Sequence, residues 1–566
     1  MKPDKDSSLH LLLVALAFGL ALGFRLIRLG AAPLGDMEAE IALQALAAAQ
    51  RSSVNFGPFM SVVGLTGIDF FLFSTSNFLA RFWQAVFGAC IVFVPFLFRE
   101  KIGRWPATAT SLILAISPDM VGLSRITGSP MVALVCVLLG LGFLVNMKPI
   151  LSGGSFALAL MSGSGFWMGV IILGLSGLIS TRLVKKEPFL TGIFSQKTGK
   201  FWIRFGLAFL ITMGVVGTGF FLAPEGLSGI FSGLALFVRG FGDAYTSPFF
   251  LLPLALIAYA LPALIFGLWG SLRGILLKSG TDLFLVIWWV IGMLVVFLYP
   301  GSEPADMIWI SFPLWVLAAR TVCFNFRLPD ENRLIMGITS AVVILLFAFL
   351  LLGLRSLESQ TLTPEQRTGT LIAIFGSAVL LVAVVLLVDF GWSGEIALPG
   401  LLLGLLLVFG TWMVSTGIKS TSLVSEPAYT LWYPNEPQYS TRWMEVSIDR
   451  IMDGNKMLAP AIEIVVSDSH SPALEWTLKD NAQVHFETFV PPQFQPGILI
   501  TGLQDFPELA NSYRGQDLVW SRQVAWDAMS PGHYFSWLLS GKAPTFDEHI
   551  ILWVRTDLMA DAQLLP

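Results

Sequence analysis

The sequence predicts a mainly α, polytopic membrane protein of about thirteen membrane helical elements, followed by a C-terminal extracytoplasmic α/β domain. Three observations lead there. Of 566 residues, 55% are hydrophobic and only 13% are charged, too little charge to clothe a soluble fold of this length. Apolar runs long enough, or nearly long enough, to cross a bilayer recur from Leu9 to Ile418. The charge is also split. From Lys419 onward 9 Lys and Arg face 18 Asp and Glu, net −9, whereas the preceding residues carry 25 against 20, net +5. The chain therefore divides into a slightly basic membrane part, residues 1–418, and an acidic tail, residues 419–566.

The runs fall at about Leu9–Leu29, Phe78–Phe98, Trp105–Leu123, Met131–Met147, Gly165–Thr181, Phe201–Ala223, Ser247–Leu272, Thr281–Tyr299, Met307–Val322, Leu334–Leu354, Thr370–Asp389 and Ile396–Ile418. Ser155–Met161 is too short to span alone and predicts a half-helix, which brings the total to about thirteen. Leu9–Phe24 is followed by Arg25 and Arg28 without a small-residue cleavage site, so it predicts a first membrane helix and not a signal peptide.

Orientation follows from the short loops. Arg99, Lys101 and Arg104, Lys148, the stretch Arg182–Arg204, Arg273 with Lys278, and Arg327 with Arg333 should share the cytoplasmic face. They do so only if Gly57–Ser74, which carries Asp69 and is broken by glycines, stays at the interface as a pair of short helices. The N-terminus is then cytoplasmic. The first external loop, Gly30–Asn77, is long and holds an amphipathic helix, Glu38–Arg51. The tail lies outside the membrane's cytoplasmic side.

Strand-like runs in the tail, Ile462–Val466, Val484–Glu487, Ile498–Thr501, Leu518–Ala525 and His549–Val554, alternate with helical stretches such as Arg442–Met457, the pattern of a small α/β domain. Cys90, Cys136 and Cys323 all lie in apolar runs, which excludes a disulfide framework or thiolate metal site in the tail. His470, His485, His533 and His549 show no metal-like pairing, so no metal site is expected from the histidines. Trp432, Tyr433, Trp443 and Trp476 suit packing or stacking on a sugar.

The chemistry concentrates in PLGDMEAEIALQAL, Pro33–Leu46, where Asp36, Glu38 and Glu40 open a helix beside the bilayer. Carboxylates there mark a functional site, although acidic residues in a first helical turn also favour the macrodipole and Asp36 is a good N-cap. One carboxylate could act as general base on an acceptor hydroxyl, while cations hold a phosphate leaving group. The candidate cations are Arg125, Arg239 and Arg81, each of which could equally anchor at the interface. Glu303 and Asp306, in YPGSEPADM, could face a lipid head group or a divalent cation, or form a solvated loop.

The run FRLIRLGAAPLGDMEAEIALQAL, continuing through FLARFWQAVFGACIVFVPFLFREKIGRWPATATSLILAISPDMVGLSR, resembles the family-39-type glycosyltransferases of the GT-C superfamily, which include protein O-mannosyltransferases and lipid A aminoarabinose transferases. The tail, with LEWTLKDNAQVHF and EHIILWVRTDL, resembles the external domain of a subgroup from filamentous green bacteria. The resemblance implies an inverting enzyme of the bacterial cytoplasmic membrane. It would take a sugar from a polyprenyl-phosphate donor and pass it to a lipid, protein or polysaccharide acceptor on the extracytoplasmic face. The family's Asp-Glu motif would place Glu on Glu38, but its Asp falls on Met37. Asp36 is one residue off, about 100° around a helix. The carboxylate the family often has after its Ser-Arg pair is missing after Ser124-Arg125, and Gly57-Pro58-Phe59 replaces the Pro-Leu-Tyr-like stretch. These departures keep a second reading in play, a catalytically degenerate scaffold with membrane-complex partners. A transporter or flippase is a third, less favoured because no repeated halves or midplane charges are seen. Nothing suggests nucleic acid as a partner.

Overall fold

The computed structural model describes residues 5–183, 198–242, 248, 250–327, 332–358, 362–421, 430–432, 435–437, 440–455, 462–467, 471–481, 483–491, 494–503 and 509–559. His470, Tyr433 and most of the basic stretch after Arg182 lie outside them.

The membrane part runs as α1 (Lys5–Leu26), α2 (Asp36–Gln50), α3 (Met60–Phe73), α4 (Asn77–Ala89), α5 (Phe93–Leu97), α6 (Arg99–Ile102), α7 (Arg104–Ile116), α8 (Pro118–Ser124), α9 (Met131–Val145), α10 (Pro149–Leu160) and α11 (Ser164–Leu183). It continues through α12 (Gly199–Gly217), α13 (Gly229–Arg239), α14 (Leu251–Leu277), α15 (Gly280–Leu298), α16 (Ile308–Asn325), α17 (Arg333–Leu357), α18 (Pro364–Gly391) and α19 (Gly394–Lys419). Among the described residues ten helices are long and apolar enough to span, and an eleventh is the bent pair α7 and α8. The other two of the expected thirteen are α9 and α10, of 15 and 12 residues.

One expected span is bent, and one expected element needs correction. Trp105–Leu123 is not straight: it bends by 55° at Ser117, because Pro118 has no N–H to continue the ladder. Gly57–Ser74 holds one helix, α3, and not a pair; at 14 residues it is too short to cross. It lies against α2, whose buried stripe of Ala39, Ala42, Ala45 and Ala48 lets the two backbones approach.

Contacts sort the helix ends onto two faces. On one, His10 meets Thr108 at 2.9 Å, the Thr281 hydroxyl donates to Lys101 O at 3.3 Å, and Arg320 bridges Asp282 and Ile102 O. This is the basic face. On the other, Ser61 N–H donates to Met161 O and Gly301 N–H to Gly240 O, both at 3.0 Å. α16 is the most enclosed span, with Trp309 and Trp315 fully buried, while α18 is almost wholly peripheral.

The tail forms one six-stranded sheet, β1 (Asn435–Pro437), β2 (Ile464–Ser467), β3 (Val484–Glu487), β4 (Ile498–Gly502), β5 (Tyr513–Val524) and β6 (Thr545–Arg555), in the order β1-β5-β6-β4-β2-β3. β3, β2 and β4 are parallel, and β6, β5 and β1 continue antiparallel. Buried residues run through β2 and β4, as strands covered on both faces require, while the edge strand β3 is partly exposed. Helices α20 (Ser440–Gly454) and α21 (Pro472–Leu478) pack against it, while α22 (Pro531–Ser540) lies on the membrane part, with Trp537 against Tyr259. The tail sits on the face opposite the basic loops. Trp476 stacks on Phe70 and donates to Asn77 at 2.8 Å, Trp432 stacks on Tyr259 at 4.5 Å, and Ser536 and Ser540 bond Glu358.

Candidate active site

The first loop is held by buried arginines that act on backbone carbonyls. Arg81, in the second turn of α4, is 3% exposed. It donates from Nε to Glu38 Oε1 at 2.9 Å and from a terminal nitrogen to Glu38 Oε2. Its other N–H groups reach Leu29 O, Ala32 O and Pro33 O. This two-point fork is the strong geometry for Arg and carboxylate. Glu38, 2% exposed, also accepts from Thr127 N–H at 3.0 Å and Gly35 N–H at 3.4 Å. Four donors saturate the carboxylate, which leaves no lone pair well placed for an incoming hydroxyl. Glu38 and Arg81 therefore tie together the loop after α1, α2, α4 and the 126–130 turn.

Arg125 is likewise committed. It ends α8 and donates to Phe24 O, Arg25 O, Ile27 O and Arg28 O at the end of α1, and to Thr421 O beyond α19. These are carbonyls that a helix end leaves without an intrahelical partner. Arg25, fully buried, does the same for α7: it bonds Leu114 O and Ala115 O, which the break at Pro118 deprives of ladder partners, and Ser124 Oγ. Sequence reasoning missed this. The readable signal was an Arg at the end of an apolar run, paired with an X-Pro break in another.

The accessible carboxylate is Asp36. Its Oδ1 accepts from Ser471 Oγ at 2.5 Å and from Ala473 N–H at 3.1 Å, at the start of α21. Oδ2 has no hydrogen-bond partner among the described residues. Met37 next to it is 47% exposed and covers Gly128. Gly128 has φ +91°, and a Cβ there would meet Met37 Sδ and Ile41 at 2.9 Å, so the turn under Met37 requires glycine. Glu40 is exposed and accepts from Gln44 Nε2 at 3.4 Å.

A second group forms where α13 meets the loop after α15. Tyr299 donates to Phe237 O at 2.9 Å and stacks on Phe237. That pins the end of α13, where Arg239 stands exposed, with no partner among the described residues. The same loop carries Glu303 and Asp306, joined by Glu303 N–H to Asp306 Oδ2 at 3.1 Å. Glu303 is reached by solvent yet hemmed in by protein, and that crowding pushes its carboxyl above the usual range. Asp119, on α8, is buried and accepts from Trp315 Nε1 at 3.2 Å.

Thus the three expected cations separate: Arg81 and Arg125 are buried clamps, and Arg239 is exposed. Of the aromatic candidates, Trp476 and Trp432 pack against the membrane part and Trp443 is exposed. His549 pairs with Asp517 and His533 caps α22. Among the described residues no three His, Cys, Asp or Glu side chains are grouped to hold a metal ion. The donor set at Glu303 and Asp306 makes a helix cap, which does not fit a cation cage.

No protein-family model matches the sequence, and no curated protein does. Solved structures do. ArnT from Cupriavidus metallidurans, in a crystal structure bound to undecaprenyl phosphate, superposes with a TM-score of 0.52 over 95% of this chain and 97% of that one, at 14% identity. This chain has the ArnT fold. The apo ArnT crystal structure agrees, with a TM-score of 0.50, 14% identity and 97% and 98% coverage. A more distant likeness, with a TM-score of 0.41 and 12% identity over 87% of this chain and 68% of that one, is to the Archaeoglobus fulgidus oligosaccharyltransferase. The likeness covers nearly the whole of both chains, so the shared fold extends through the tail.

Proposed function

We propose that this chain is a membrane glycosyltransferase that takes a sugar from a polyprenyl-phosphate donor and transfers it to an acceptor hydroxyl on the tail face. The observation that carries the reading is the fold, shared over nearly the whole chain with ArnT, whose crystal structure holds undecaprenyl phosphate. Asp36 serves as base. Its Oδ1 is fixed by Ser471 and Ala473, and Oδ2 takes the acceptor proton as the acceptor oxygen bonds the anomeric carbon. The bond from that carbon to the phosphate oxygen breaks with inversion, and the leaving phosphate gathers its charge against the exposed guanidinium of Arg239. The chain lies in the bacterial cytoplasmic membrane with its tail outside.

The test is binding of undecaprenyl phosphate by the purified full chain, read by native mass spectrometry. Retention by the wild type, reduced in Arg239→Ala, supports the reading; equal retention by both removes Arg239 from it.

One observation favours a second reading, a scaffold without transferase activity. Met37 stands where the family's base is expected, and Glu38 is sealed by Arg81. That reading expects no sugar transfer with any donor and survival of the tail's association with partner subunits.

A further inference from the structure

A cavity of about 600 Å³ lies within the membrane part, between α5, α9, α10, α11, α15 and α16. Its walls are apolar throughout, from Val170, Leu173 and Phe312 to Trp288 and Leu285. Among the described residues its hydroxyl side chains are Thr181 and Thr281, and both stand at the basic face, where the Thr281 hydroxyl bonds Lys101 O. Along α11 the lining extends from Thr181 to Val170, about 16 Å at 1.5 Å per residue. One leaflet of a bilayer's hydrocarbon core is about 15 Å deep. The cavity is therefore about as long as one leaflet, and its end at Thr181 and Thr281 lies at the basic face.

We infer that this cavity binds one acyl chain of an anionic glycerophospholipid from the leaflet of the basic face, with its phosphate beside Arg182. Three features select that occupant. The wholly apolar wall suits a hydrocarbon chain and offers nothing to a polar solute. Arg182 follows Thr181 at that end of the cavity, exposed and without a side-chain partner among the described residues, and it supplies the charge complementarity for a phosphate. A polyprenyl phosphate that reacts as proposed above presents its head group at the opposite, tail face, so a phosphate beside Arg182 belongs to a different lipid. The inference stands whether or not the chain is a transferase.

The wall contains a ready means of blocking it. Gly174 lines the cavity, and a Cβ built there meets nothing within 4 Å, so Gly174→Trp fills the space without displacing backbone. Gly206 on α12 is equally unobstructed and lies outside the lining, which makes Gly206→Trp the control for a bulky substitution in a membrane helix.

The experiment is native mass spectrometry of the purified full chain, exchanged into micelles containing palmitoyl-oleoyl phosphatidylglycerol or phosphatidylcholine. The wild type should retain one phosphatidylglycerol in preference to phosphatidylcholine. Gly174→Trp should lower that retention about ten-fold, Gly206→Trp should leave it unchanged, and Arg182→Gln should erase the preference between the two lipids. Equal retention in Gly174→Trp and wild type overturns the proposal. So does an equal loss in both glycine variants, or a retained lipid that proves to be a polyprenyl phosphate.

Discussion

Asp36 Oδ1 accepts a hydrogen bond of 2.5 Å from the hydroxyl of Ser471, which lies 435 positions later in the chain. The first loop and the tail are thereby joined at the carboxylate proposed as base. The contact does two things at once. It caps α21 from outside, with the Ala473 N–H as second donor, and it fixes the rotation of the Asp36 carboxylate so that Oδ2 is presented in one direction.

Glu38 and Arg81 should matter for stability before chemistry. Removing one partner leaves the other charge buried and unpaired, a loss of about 3–5 kcal/mol. Arg81→Met and Glu38→Gln are each expected to lower the unfolding midpoint of the detergent-purified protein sharply. Pairing the two changes in one chain should recover part of the loss. A Glu38→Gln protein of unchanged stability that lacks transfer activity would instead make Glu38 catalytic.

Arg125 and Arg239 should part company in the same way. Arg125→Lys loses the planar fork whose one terminal nitrogen reaches the end of α1 and whose other reaches Thr421 O, with a cost of about 3 kcal/mol as charged hydrogen bonds go unmade. Its donor KM should be little changed in the protein that folds. Arg239→Ala should keep stability and raise donor KM. Thermal unfolding and donor titration together separate the two.

Glu358 should make tail docking acid-sensitive. Hydrogen bonds from Ser540 and Ser536 hold its carboxyl below the usual range, against a smaller opposing effect of burial. A depressed folded-state pKa contributes stability that is fully present above the unfolded value and is lost as pH falls through the folded value. Hydrogen exchange of Pro531–Ser540, corrected for the intrinsic rate, should therefore rise as pH drops below the carboxylate range, and Glu358→Gln should abolish that dependence.

The division into a membrane part and a tail was legible because hydropathy and charge change together at Lys419. The tail strands were legible because buried parallel strands such as Ile464–Ser467 read as continuous β-branched runs. β1, only three residues long, left no such signal. The site was half legible. The spacing of Asp36 and Glu38 marked the loop, but which carboxylate is sealed depends on Arg81, 43 residues away. Arg125 looked like a phosphate reader because sequence cannot show that five carbonyls from two distant helix ends converge on it.

Orientation has its own measurement. With the basic loops cytoplasmic, a periplasmic reporter fused after Ile418 should be active and a cytoplasmic one silent. Single cysteines at Arg51 and Asn77 should label from the same outer face, since α3 between them does not cross. An active cytoplasmic fusion would invert the topology and remove the external acceptor.

The central claim is that Asp36 is the base of a sugar transfer. It is tested by turnover of a polyprenyl-phosphate-linked sugar donor by wild type, Asp36→Asn, Ser471→Ala and Glu40→Gln, each first checked for folding. The expected result is a loss of about 10²-fold or more in Asp36→Asn, a smaller loss in Ser471→Ala, where the Ala473 N–H still holds Oδ1, and near wild-type turnover in Glu40→Gln, whose carboxylate accepts from Gln44 one turn further along α2 and not from the tail. Full activity in a folded Asp36→Asn protein, or no transfer by the wild type with any donor, would contradict the account.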